Sequence, residues 1–86
     1  MLFHVIEHYR QGAGPVYRRF RERGRMTPEG VEYVASWVTS DLMRCFQVME
    51  AESREALDEW IDRWADLVDF EVVPVITSAE ASERVP

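Results

Sequence analysis

Four short stretches of this chain have strand composition, and in three of them apolar side chains fall at odd and even positions alike. MLFHVIEHY places Phe3 and Val5 on one face and Leu2 and Ile6 on the other; LMRCFQVME opposes Phe46 and Val48 to Met43, Cys45 and Met49; FEVVPVI opposes Phe70, Val72 and Ile76 to Val73 and Val75. An antiparallel sheet with one wet face alternates apolar with polar residues, because only half of its side chains leave water. Strands apolar on both faces predict a sheet that is covered twice.

The order of elements shows what does the covering. MLFHVIEHY also fits a helical stripe through Leu2, Val5, Ile6 and Tyr9, but its β-branched and aromatic content and its stop at QGAGP decide for a strand. Pro15 suits the first turn of a helix carrying Val16, Tyr17 and Phe20 on one face and ending near Gly24. A turn at TPEG leads into VEYVASWV, and Thr39-Ser40-Asp41 makes a hairpin into LMRCFQVME that pairs Trp37 with Arg44 and Ala35 with Phe46. Ser53 caps a second helix whose stripe is Leu57, Trp60, Ile61, Trp64, Leu67 and Val68. FEVVPVI closes the sheet, with Pro74 requiring an edge or a bulge because it has no N–H to give a ladder. Thr77 and Glu80 have capping-box spacing, so residues 77–86 form a tail or short helix.

The resulting order, βαββαβ over residues 1–86, predicts a single α+β domain of ferredoxin-like type, one four-stranded antiparallel sheet with two helices on one face. Two helices cover one face only. The other is expected to meet a second copy, sheet against sheet, in a closed homodimer, which also suits a chain short enough to bury little surface alone.

Pro28-Glu29-Gly30, Trp37, the strand from Phe46 to Glu50, Trp60, and above all Trp64-Ala65-Asp66-Leu67 leading into Phe70-Glu71-Val72-Val73-Pro74-Val75 carry a family resemblance over nearly the whole chain. They resemble a small bacterial family classed as domain of unknown function 3303, within the dimeric α+β barrel superfamily. The resemblance implies a dimeric barrel but transfers no activity. Its superfamily implies one alternative to a binding module, a cofactor-independent monooxygenase, isomerase or dehydratase of a small metabolite.

HVIEH, residues 4–8, matches the H-x-x-E-H zinc motif letter for letter. In a helix His4 and His8 would share one ion; in a strand they lie about 13 Å apart and Glu7 points to the opposite face. No metal and no cofactor are expected. Polar residues inside doubly covered strands are better clues, since a buried charge needs a partner. Glu7 and His4 are the candidate acid and base, and Trp37, Arg44 and Gln47 a candidate wall and anchor for a small anionic or aromatic ligand. The plainer alternative is that Glu7 and Arg44 pair structurally. Cys45 as a thiol with His4 or His8 as its base is a further arrangement, set against inert packing.

Charge is divided between the helices, five Arg and one Glu from Pro15 to Arg25 against six acids and two Arg from Ser53 to Asp69. The simplest account is mutual attraction of neighbouring helices or contacts between protomers. A net charge of −6 argues against nucleic acid as partner, and no run is long enough to span a bilayer. No leader pattern is evident and the single Cys45 fits a reducing compartment, so a cytoplasmic location is expected. All ten basic residues are Arg, as in a GC-rich bacterium.

Overall fold

Phe3, Val5, Glu7 and Tyr9 alternate with half-buried or exposed neighbours along β1 (Leu2–Tyr9), and this period of two sets the architecture. The computed structural model describes residues Met1–Pro86. After β1 come α1 (Ala13–Arg23), β2 (Val31–Val38), β3 (Arg44–Ala51), α2 (Arg54–Asp62), β4 (Val68–Val75) and α3 (Ser78–Arg84). The strands form one antiparallel sheet in the order β2-β3-β1-β4, the ferredoxin-like arrangement expected. β4 is an edge strand, which accommodates Pro74.

The core lies between the sheet and α1 and α2. Phe3, Val5, Met49 and Val68 from the strands meet Val16, Leu57, Trp60 and Trp64 from the helical side. The opposite face, with Ile6, Phe46 and Val48 half-buried and Trp37 61% exposed, carries no helix pair. One face of the sheet is thus an interior, and the other is a mixed surface on which Ile6, Phe46, Val48 and Trp37 lie among His4, Arg44 and Glu71.

Local chemistry accounts for the element ends. Gly24 stops α1 at a positive φ of 70°, its N–H bonding the Phe20 carbonyl at 2.7 Å. Ser53 caps α2 by accepting from the Ala56 N–H, and Thr77 caps α3 by accepting from the Glu80 N–H. The opposed helix charges find a partner in Arg19, which grips Asp66 through two bonds of 2.7 and 2.6 Å.

Two expectations need correction. Trp37 pairs with Phe46 and Ala35 with Val48, two residues away from the expected register. The hairpin loop is longer than a three-residue turn because Thr39 takes over the end of the ladder. Its hydroxyl accepts from the Arg44 N–H at 3.0 Å, Asp41 accepts from the Met43 N–H, and Leu42 takes φ 64°. Second, α2 ends at Asp62, and Trp64, Leu67 and Val68 follow in turns and in β4. The stripe persists past the helix because successive turns, such as Trp64 N–H to Ile61 C=O at 3.0 Å, keep nearly helical spacing. The structure also shows that β2 bulges between Tyr33 and Ala35, so Tyr33 and Ser36 lie on the same face although their parity differs.

Candidate functional site

The bulge matters because it turns Ser36 and Val38 toward the helices, where they complete the wall of a cleft. This cleft, about 100 Å³, is bounded by Glu7 and Tyr9 of β1, Cys45 and Gln47 of β3, Val16, Tyr17 and Phe20 of α1, Arg25, and Trp60 and Trp64. The sheet supplies its polar groups and the helices its apolar walls.

Arg25 is held at this cleft by an unusual anchor. The indole N–H groups of Trp60 and Trp64 both donate to its backbone carbonyl, at 3.0 and 2.9 Å. Its guanidinium carbon lies 3.7 Å from the centre of the Tyr33 ring and 5.2 Å from that of Phe20. Trp64→Phe removes one of the two indole donors and also leaves a cavity, because phenyl is smaller than indole and Trp64 is 5% exposed, so it is expected to cost more in chemical denaturation than the about 1 kcal/mol usual for one hydrogen bond.

Glu7 is 7% exposed and sits directly across the ladder from Cys45. Burial pushes its carboxyl from 4.5 up to about 7, against the opposing pull of Arg25 and a hydrogen bond from the Cys45 thiol. Burial likewise pushes Cys45 up to about 11, with the charge of Glu7 adding to it, and raises the Tyr9 phenol. Both stay protonated at neutral pH, so Glu7 is the group of this cluster that titrates there. Gln47, 3% exposed, donates from Nε2 to the Met49 sulfur at 3.2 Å.

The residues expected to form a site divide between the two faces. Glu7 and Gln47 line the cleft. His4, stacked on Phe46 with ring centres 6.1 Å apart, faces the other way, as do Trp37 and Arg44. Arg44 pairs with His8 across the ladder and lies over Phe46, so the cation near Glu7 is Arg25 and not Arg44. Cys45 is likewise separated from both histidines and has Glu7 and Tyr9 as its neighbours. HVIEH lies within β1, with Glu7 on the core face. No three His, Cys, Asp or Glu side chains converge closely enough to hold a metal ion.

In the sequence Arg25 is only one charge in a basic run. Trp60 and Trp64 read as core, and nothing in VEYVASWV marks its bulge. The signals that point at the cleft are Glu7 and Gln47, polar residues within largely apolar strands.

The family model described as Domain of unknown function (DUF3303) matches residues 1–86. The chain belongs to this family. No curated protein matches the DUF3303 chain. A solved structure, that of Rv0793 from Mycobacterium tuberculosis, is similar to it with a TM-score of 0.50 at 17% identity, covering 92% of this chain and 99% of that chain. At that identity the likeness concerns the fold alone. No helix is long and apolar enough to cross a membrane.

Proposed function

We propose that the protein is a homodimeric α+β barrel module that binds a small organic molecule in the cleft between its sheet and its helices. The observation that carries the binding reading is the cleft itself, with Glu7, Tyr9, Ser36, Cys45 and Gln47 presented by strands into a space walled by Trp60, Trp64 and Phe20. A few convergent polar groups in an apolar concavity, one with a shifted carboxyl, are the usual signature of a ligand site. At about 100 Å³ the space is smaller than the roughly 150 Å³ of an apolar cavity that takes benzene, so an occupant with a ring projects from the mouth of the cleft and is not fully enclosed.

The dimer reading rests on the uncovered face. Ile6, Phe46, Val48, Val73, Val75 and Trp37 form its apolar part, with Arg44, Glu50 and Glu71 among them, and a second copy packed sheet to sheet removes that apolar part from water. Native mass spectrometry of gently purified protein tests both parts at once. A dimer with added small organic mass is the expected result; an unliganded monomer overturns the reading. Val48 lies between His4 and Ala35 on that face, so Val48→Asp is expected to shift sedimentation to the 10.1 kDa monomer.

A second reading, a cofactor-independent enzyme, is favoured by Glu7, because a carboxyl near 7 is suited to taking and returning a proton at neutral pH. Turnover of a bound small molecule that disappears in Glu7→Gln would distinguish it from a binding module.

A further inference from the structure

Arg25 has no carboxylate within ion-pair distance, although five other arginines of the chain do. Its backbone is tied to two indoles, and its guanidinium rests on the face of Tyr33, a contact that leaves in-plane N–H groups for another partner. The protein acid nearest in influence is Glu7, which feels the charge of Arg25 without an ion pair forming between them. Between the two lies the cleft.

We propose that the occupant of the cleft is a small planar organic acid, its anionic oxygen held by Arg25 and sharing the proton of a neutral Glu7. This deepens the binding reading above and rests on it. The ring of such a molecule packs against Trp60 and Trp64, and the carboxylate accepts from Arg25 and from the Glu7 O–H. An ionised Glu7 opposes this occupant twice, by repelling the anion and by competing for Arg25. Proton uptake by Glu7 on binding is therefore small below pH 7, where the carboxyl is already neutral, and approaches one proton above it.

The other groups around Glu7 do not blur this coupling. On β1 and β3 its titratable neighbours are Tyr9 and Cys45, both raised by burial and neutral at the pH concerned. β4 places Phe70 opposite it, β2 contributes Ser36 and Val38, α2 and its following turn contribute Trp60 and Trp64, and α1 contributes Tyr17. Arg25 is the one charged side chain lining the cleft besides Glu7.

The test uses benzoate and its neutral counterpart benzamide, titrated into the whole protein and followed by NMR at the three indole N–H groups. Trp60 and Trp64 line the cleft and Trp37 lies on the opposite face, so one spectrum contains its own control. Benzoate is expected to shift Trp60 and Trp64 saturably while leaving Trp37 in place, and to bind at least tenfold more tightly than benzamide at pH 6. With Glu7 titrating near 7, benzoate affinity should fall about tenfold between pH 6 and pH 8. In Glu7→Gln that pH dependence should vanish, and in Arg25→Gln the preference for benzoate should be lost. Equal binding of the two probes, or benzoate binding that is flat from pH 6 to pH 8 in the unaltered protein, overturns the acid ligand and leaves the cleft as a neutral site. If neither probe moves Trp60 or Trp64, the cleft reading falls as well. Because the wild-type comparison decides these outcomes, a variant that fails to fold does not protect the proposal.

Discussion

Glu7→Gln is expected to stabilise the protein above neutral pH by roughly 3 kcal/mol, the linkage value for a carboxyl moved from 4.5 in the open chain to about 7 in the fold. The sign follows from proton counting. Between these values the folded state binds more protons than the unfolded one, so the wild-type contribution falls as pH rises through that window. Below pH 4.5 the carboxyl is neutral in both states and the two proteins should differ little. Above 7 the wild type keeps an ionised group that is only 7% exposed, and the variant does not. Denaturant melts from pH 4 to pH 8, compared as the difference between variant and wild type, check this directly. A difference that is constant across the range would mean that Glu7 is not held as described. A stabilising loss of a buried acid is also what a functional group tends to show, since structure alone gives no reason to keep it.

Phe3→Ala is expected to have the larger destabilising effect, about 3 to 5 kcal/mol. Phe3 is 1% exposed on β1, an inner strand, between Met49 and Pro74 of its neighbours. For a domain of this size that loss corresponds to a melting point lower by roughly 15 to 30 °C, and it removes much of a total stability that is commonly about 5 to 15 kcal/mol. Phe46→Ala provides the contrast. Phe46 is half-buried on the opposite face, so in an isolated protomer its removal should cost about 1 kcal/mol or less. If the sheet packs against a second copy, the cost of Phe46→Ala instead approaches that of Phe3→Ala and depends on protein concentration. Thermal melts of the two variants at two concentrations therefore measure the core and the proposed interface together.

The same pair of residues shows how far the sequence could be read. That β1 has two apolar faces was legible from Leu2, Phe3, Val5 and Ile6, and the element order followed from periodicity, Gly and Pro positions and caps at Ser53 and Thr77. These signals are local. A capping hydroxyl acts within three residues, and a period of two or 3.6 shows over a single element. Pro74 even located an edge strand, because a missing N–H has the same consequence in any sheet.

The site was only half legible for a reason of the same kind. Glu7 and Gln47 stand out as polar residues in apolar strands, and both line the cleft. His4 and Arg44 differ in parity from Glu7 and Gln47 on strands that carry no bulge, so they face away from the cleft, and grouping all four in one site failed for that reason; only in β2 does a single extra residue change the parity. The bulge in β2 and the Thr39 loop together decide what Ser36, Val38 and Trp37 see, and neither leaves a Gly or Pro as a marker. Arg25 was harder still: its place depends on indoles 35 and 39 residues away in sequence.

By itself the sequence determined the βαββαβ order, the two-faced apolar sheet and the presence of an acid inside it, since these follow from composition and spacing within short windows. Period two already put the acid and the histidines on opposite faces of β1; only the tertiary structure decided that the acid's face is the one beneath the helices beside Arg25, because strand register and long-range anchors arise from contacts that no short window contains.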